Sequence, residues 1–206
     1  MTIVSPEASL DPDQGETGDV THFWRVPRHN GLDCLRATFR RHAYARHSHD
    51  TYAIAGITAG CETFYHRGEQ HYAGAGSIAV VCPDEVHDGK PYGDGFAYRT
   101  IYPSADLMRE VAEEVTGRSM TRPPWFPGSV VWDPLLIAAL TSLHASLHAS
   151  SVTDRPWVSE MEQDSRLVDF LARFIARFAD CDRTEADPGG HHGIVRARDY
   201  IEVHLG

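Results

Sequence analysis

The 206-residue sequence predicts a mainly β chain that turns helical after Pro103. Two observations carry this. Between Thr21 and Pro103, short runs rich in aromatic and β-branched residues recur between Gly and Pro turn signals, with no helical period among them. Beyond Pro103, apolar residues return at three- and four-residue spacing. A composition of 42% apolar and 23% charged residues supplies enough material for a core. Strands at this density, without helices between them, build an antiparallel sandwich or small barrel rather than alternating β and α units.

Residues 1–20 carry five acids (Glu7, Asp11, Asp13, Glu16, Asp19) and no Lys or Arg, with Pro, Gly and Ser between them. That composition predicts a disordered acidic tail. The β domain is expected over 21–103, with strand runs at 32–44, 51–58, 61–67, 69–73, 76–82 and 96–102. Arg67-Gly68, Gly74-Ala75-Gly76, Pro83-Asp84 and Gly93-Asp94-Gly95 are the turns between them. A helical segment is expected over 104–183. Ser104 can cap a helix over 105–116, with Leu107, Met108, Val111 and Val115 on one face and Gly117 as its stop. Pro123, Pro124 and Pro127 forbid a long regular element in 118–130. Asp133-Pro134 opens a second helix through Leu135, Leu136, Leu140, Leu143 and Leu147. A third, over 159–180, presents Met161, Leu167, Phe170, Leu171, Phe174 and Phe178, a stripe suited to helix–helix packing. Residues 184–206 read as a linker and then a short helix from Ile194 with Ala197, Ile201 and Leu205 on its apolar edge. That helix has no evident partner in the chain, which suggests a cut at a domain boundary.

Charge and composition exclude several function classes. Nineteen basic residues against 29 acidic ones leave a net charge of −10, so the chain repels a phosphate backbone. No apolar run approaches eighteen residues, and the start lacks a basic and then apolar region. A cytoplasmic protein without membrane contact is the expectation. Cys34, Cys61, Cys82 and Cys181 form no C-x-x-C pair and read as reduced thiols acting as small hydrophobes.

The thirteen histidines matter by position. His47-Ser48-His49 puts two imidazoles on one side of an extended strand, and His87 follows the apolar run 77–82 and the turn at Pro83. If hairpins bring these segments together, three imidazoles converge, a set that suits zinc, nickel, iron(II), manganese or copper. The alternative is a polar pocket wall without metal. His144 and His148, four apart on a helix, are expected to be exposed; His191-His192 falls in the linker. Trp24, Tyr52, Tyr65, Tyr98 and Arg99 are candidates for pocket walls, each with ordinary core packing as its alternative.

Several linked motifs then carry a family resemblance. The stretch HSHDTYAIAGITAGCETFYHRGEQHYAGAGSIAVVCPDEVHDGKP from His47 and AYRTIYP over 97–103 resemble the N-terminal cupin-type domain of AraC-family transcriptional regulators. Its marks are His-x-His-Asp-x-Tyr at 47–52, Tyr65-His66-Arg67-Gly68, Gly76-Ser77, the segment Pro83–Gly89, and Tyr-Arg-x-x-Tyr-Pro at 98–103. The tail RARDYIEVHLG at 196–206 resembles the first helix of that family's helix-turn-helix region, whose recognition helices do not follow. The likeness spans roughly residues 20–205. It implies a cupin-like double-stranded β-helix, a jelly-roll barrel, followed by an antiparallel helical dimerisation segment. Of the four ligands of metal-dependent cupin enzymes it matches His47, His49 and His87; Ala53 and Ile54 stand where the Glu would be.

The function so implied is effector sensing and homodimerisation in a DNA-binding transcriptional regulator, without catalysis. A small-molecule effector would occupy the barrel, lined by Trp24, His47, His49, Tyr52, Tyr65, His87, Tyr98 and Arg99, with one divalent transition metal (Zn, Ni or Fe) as a possible addition at the three histidines. The acidic tail could fold over the pocket when the effector binds. DNA would be bound only through the absent helix-turn-helix part. One alternative is a metal-dependent cupin enzyme acting on a small sugar or aromatic substrate, with Glu62, Glu85 and Tyr65 as acid–base nominees. Another is a structural dimer module with a vestigial pocket.

Overall fold

Residues 18–152 and 158–182 are described in the structure, a computed structural model. The strands are β1 (Val20–Val26), β2 (Leu32–Phe39), β3 (Tyr44–His47), β4 (Ala53–His66), β5 (Glu69–Gly74), β6 (Ser77–Val81) and β7 (His87–Tyr102). Helix α1 (Ala105–Thr116), strand β8 (Val130–Trp132) and helices α2 (Pro134–Val152) and α3 (Glu160–Phe178) follow. Pairing runs β1-β2-β7-β4-β6-β8, with β3 added on β7 and β5 on β4, all antiparallel.

The predicted turn at Gly93-Asp94-Gly95 is instead an interruption inside β7, and the two runs 51–58 and 61–67 are one strand, β4. Gly60 pairs with Phe96 but Cys61 pairs with Tyr92, so Gly93, Asp94 and Gly95 are extra on β7. Such an excess bends both strands sharply and lets the sheet curl into a barrel. Gly60 and Gly95 make the bend possible at φ +67° and +122°. The run 32–44 breaks into β2 and β3, while β1 and the three-residue β8 add to the six runs. The predicted tail also ends early. Asp19 is buried, and its carboxylate accepts from the backbone N–H groups of Arg40, Arg41 and His42 at 2.5, 3.2 and 3.1 Å.

Strand alternation separates two cores. Leu35, Phe39, Ile57, Phe64 and Phe96 fill the barrel, whereas Trp24, Cys34, Ile54, Ile78, Val80 and Ile101 face outward beneath the helices. There they meet Met108, Leu136, Leu140, Leu143, Leu171 and Phe174. Ser104 Oγ accepts from the Leu107 N–H at 3.2 Å, and Gly117 closes α1. Asp133 Oδ1 accepts from the N–H groups of Leu135 and Leu136 at 2.9 and 3.1 Å, and its Oδ2 pairs with Arg177 Nη1 at 2.9 Å. The apolar stripes are narrower than expected. Leu135 and Met161, 73% and 77% exposed, sit in the first turns of α2 and α3 and stay in solvent. No described helix is long and apolar enough to cross a membrane. The rest of the expected tail and the linker and helix of 184–206 lie outside the described residues.

Candidate functional site

The barrel surrounds a cavity of ≈ 60 Å³. Its walls follow the period of two: Glu62 and Phe64 from β4, and Tyr98, Thr100 and Tyr102 from β7. Ala53, Ala55 and Ala79 keep the space open. Tyr44, His47 and His49 enter from β3 and the residues after it, where a shift in register between Tyr44 and His47 lets both point inward.

His47, His49 and His87 meet at one end. Their ring centroids lie 4.4 to 5.2 Å apart, and one ligand nitrogen from each falls within 4.8 Å of the others. His47 Nδ1 donates to the Ala45 carbonyl at 2.7 Å and His87 Nδ1 to the Glu85 carbonyl at 3.1 Å. Each bond fixes a tautomer whose Nε2 carries a lone pair, as a metal-ligating histidine requires. His47 Nε2 and His49 Nε2 stand 3.2 Å apart, close to the spacing of about 3.4 Å for two ligands on one tetrahedral metal. Burial and repulsion from His47, opposed by the bond to Glu85, push the His87 imidazole down to about 3, so it is neutral at physiological pH.

Beside the histidines the lining is acidic and phenolic, with the Tyr44 ring 5.8 Å from His47 and the Tyr102 ring 5.6 Å from His49. Tyr44 and Tyr98 share a hydrogen bond between their hydroxyls at 3.1 Å. Burial holds the Tyr98 and Tyr102 phenols well above their ordinary range. The Glu62 carboxyl, which has no hydrogen bond or ion pair among the described residues, is pushed by burial up to about 8. At neutral pH it is therefore a protonated donor in the lining of the cavity that the three histidines share.

The remaining predicted wall residues stand elsewhere, for reasons of alternation. Tyr98 faces in, so its neighbour Arg99 faces out, opposite Arg36 and Gly56. Phe64 faces in, so Tyr65 faces out, beneath the Arg46 guanidinium at 4.7 Å. Trp24 lies under α2, and buried Tyr52 donates its hydroxyl to the Pro124 carbonyl and packs edge-on against Phe126. His144, expected to be exposed, is fully buried against Trp24 and donates Nε2–H to the Leu35 carbonyl at 3.0 Å. Glu62, Phe64, Thr100, Tyr102 and Tyr44 were missing from the expected walls. Counting in twos from Tyr98 finds Thr100 and Tyr102.

Behind His87, Glu85 is committed to structure. It accepts from His66 Nε2 at 3.0 Å, from Arg67 at 2.7 to 2.9 Å and from the Cys82 backbone at 3.1 Å. Burial alone would raise its carboxyl, but the bonds from His66 and the Arg67 charge hold it down at about 2. His66 Nδ1 meets Ser129 Oγ at 2.9 Å, and Arg67 also donates to the carbonyls of Phe126 and Pro127. The network ties the barrel rim to the connection between α1 and α2.

The family model for the AraC-like ligand binding domain matches residues 29–171, most of the chain. The chain belongs to the AraC-like ligand-binding domain family. This AraC-like domain superposes on the AraC-like transcriptional activator CuxR with a TM-score of 0.55 at 14% identity, covering 91% of this chain and 65% of that one. It resembles the cupin 2 conserved barrel protein of Leptotrichia buccalis (TM-score 0.39, 15% identity, 48% of this chain and 46% of that one). KdgF of Halomonas sp. gives a TM-score of 0.37 at 18% identity, over 52% of this chain and 99% of that one. No curated protein matches the domain in sequence. It spans less than two thirds of the activator and about half of the Leptotrichia protein.

Proposed function

We propose that the AraC-like domain is the effector-sensing part of a cytoplasmic transcriptional regulator, and that His47, His49 and His87 hold a divalent transition metal within its effector cavity. The observation that carries this is the convergence of three imidazoles, two of them pinned through Nδ1, on one buried point. The cavity of ≈ 60 Å³ is well below the roughly 150 Å³ that admits a benzene-sized ligand, so it suits an ion with one or two small ligands. Bound metal would supply a positive centre that attracts an anionic or chelating effector. The protein's part is to orient the imidazoles and exclude bulk water. An effector with unequal affinity for two arrangements of barrel and helices shifts their populations by that difference. Dimerisation through α2 and α3, and DNA binding through a further part of the protein, belong to the same reading.

Sensing is favoured over catalysis because two of the three acid–base nominees are spent elsewhere: Glu85 on Arg67 and His66, Tyr65 on the outer face. The enzyme reading keeps one observation, the Glu62 carboxyl poised to exchange a proton near neutral pH.

Native mass spectrometry of protein purified without a nickel column or chelator tests the proposal. The expected spectrum is a dimer with one transition-metal equivalent per chain, lost in His47→Ala. A metal-free mass in the unaltered protein would refute the metal centre and leave the histidines as pocket walls.

A further inference from the structure

On the sheet face opposite the cavity, strand register sets one row of residues across four strands. His22 of β1 pairs with Arg36 of β2, Arg36 with Arg99 of β7, and Arg99 with Gly56 of β4. Two guanidinium side chains therefore start from directly opposite positions on adjacent strands, an unfavourable arrangement unless something negative lies between them. Among the described residues neither arginine joins an ion pair, whereas Arg25, Arg28, Arg67 and Arg109 all do. Helix α2 lies over the same row and adds two imidazoles. The His148 ring is 4.6 Å from His22 and 5.0 Å from Trp24, and the His144 ring is 4.7 Å from Trp24.

Among the described residues, the groups whose charge bears on His144, His148 and Arg99 are all basic side chains: Arg36, Arg99, His22 and His148. This happens on a chain of net charge −10. A second observation is independent of charge. Trp24 Nε1 and His144 Nδ1 are buried polar atoms without a hydrogen-bond partner among the described residues, in side chains 7% and 0% exposed. The indole N–H can only donate. Because His144 Nε2–H is used on the Leu35 carbonyl, its Nδ1 becomes a donor when the ring is protonated.

We propose that His22, Trp24, Arg36, Arg99, His144 and His148 form a binding site for a tetrahedral oxyanion, the phosphate or sulfate group of a small solute. Donors arriving from β1, β2, β7 and α2 suit four oxygens spread in space better than the two of a planar carboxylate. Burial and the neighbouring guanidiniums hold the His144 imidazole down at about 3 and lower that of His148. A bound anion reverses the local field and favours both imidazolium forms. Binding therefore takes up protons, and affinity rises as pH falls.

The test uses the full chain with ¹⁵N-labelled tryptophan, which gives four indole resonances. Trp24→Phe identifies the one from Trp24. Sulfate is the probe because its charge stays fixed between about pH 5.5 and 8, and sodium chloride at equal ionic strength is the reference. The Trp24 resonance is expected to shift saturably with sulfate, with affinity at least about threefold higher near pH 5.5 than near pH 7.5. Affinity should fall about tenfold in Arg36→Gln, an exposed position that leaves the fold intact, and likewise in Arg99→Gln. Repeating the titration with inorganic phosphate and with glycerol phosphate names the source. Equal saturation assigns a terminal phosphate group, and preference for the inorganic ion assigns the free anion; either supports the site. A linear shift matching that in chloride, or a saturable shift unchanged in both arginine variants, overturns it.

Discussion

Gly60→Ala is expected to destabilise the domain by at least about 4 kcal/mol, a large part of the roughly 5–15 kcal/mol that holds a domain of this size together. Two costs combine. The residue sits at φ +67°, where a side chain is strained by about 1–2 kcal/mol. Its new Cβ would also lie 2.0 Å from the Gly95 carbonyl oxygen and 2.9 Å from Phe96 Cα. These are backbone atoms of β7, itself pressed on β2 because a Cβ at Gly95 would lie 2.5 Å from the Phe39 carbonyl oxygen. No side-chain rotation relieves the overlap, so the barrel corner must open. Gly68→Ala is the control: φ is +86° but nothing lies within 4 Å, so only the backbone strain remains. Urea denaturation of both variants should separate them by several kcal/mol, and equal losses would remove the argument that three backbones cross at this corner.

Glu62→Gln is expected to stabilise the metal-free domain on the alkaline side. Burial raises this carboxyl from its ordinary 4.5 to about 8 in the folded state. As pH rises through that window, the unfolded chain gives up the proton while the folded chain keeps it, so stability is lost at up to about 1.4 kcal/mol per unit. The loss is complete above the folded value, and glutamine has no proton to lose. Stability curves of the two proteins should differ by a constant amount below about pH 4, then diverge. By about pH 9 the variant should have gained on the order of 4 kcal/mol relative to that offset. His87 and His144, both held down at about 3, remove stability from each protein as pH falls below the ordinary 6.5, and this cancels in the comparison. Parallel curves across the whole range would show that the carboxyl ionises normally. Zinc at the three histidines should narrow the divergence, because a cation in the cavity favours the carboxylate.

Much of this architecture is legible in the residues because local chemistry decides it. Ser104 and Gly117 bound α1 through a cap and a left-handed stop, and Asp133-Pro134 opens α2. His47, His49 and His87 are visible as a group because two share one side of a strand and the third follows a turn. The bend at Gly60 and Gly95 is not legible in the same way. Glycines within a short polar run signal a turn, and only pairing with a distant strand converts the signal into a bulge. The cavity walls fail for a related reason. Tyr98 and Arg99 are adjacent, so one strand cannot aim both inward, and which one enters depends on register with β2 and β4. His144 looks like a surface helix residue until Trp24, 120 positions earlier, is placed beneath it.

The short strand β8 reaches back from the helical half to close the sheet on β6, while Trp125 bridges to Asp180 and Thr51 to Ser104. The outer sheet face and the helices also share one set of buried side chains, from Ile54 and Ile101 to Leu140 and Phe174. Barrel and helices are therefore not two modules joined by a hinge. They make up a single cooperative unit, in which a few tenths of an ångström gained or lost between strands around the cavity must be absorbed by how α2 and α3 lie on the barrel. In such a design the helices register strain in the sheet in the way a soundboard registers a string.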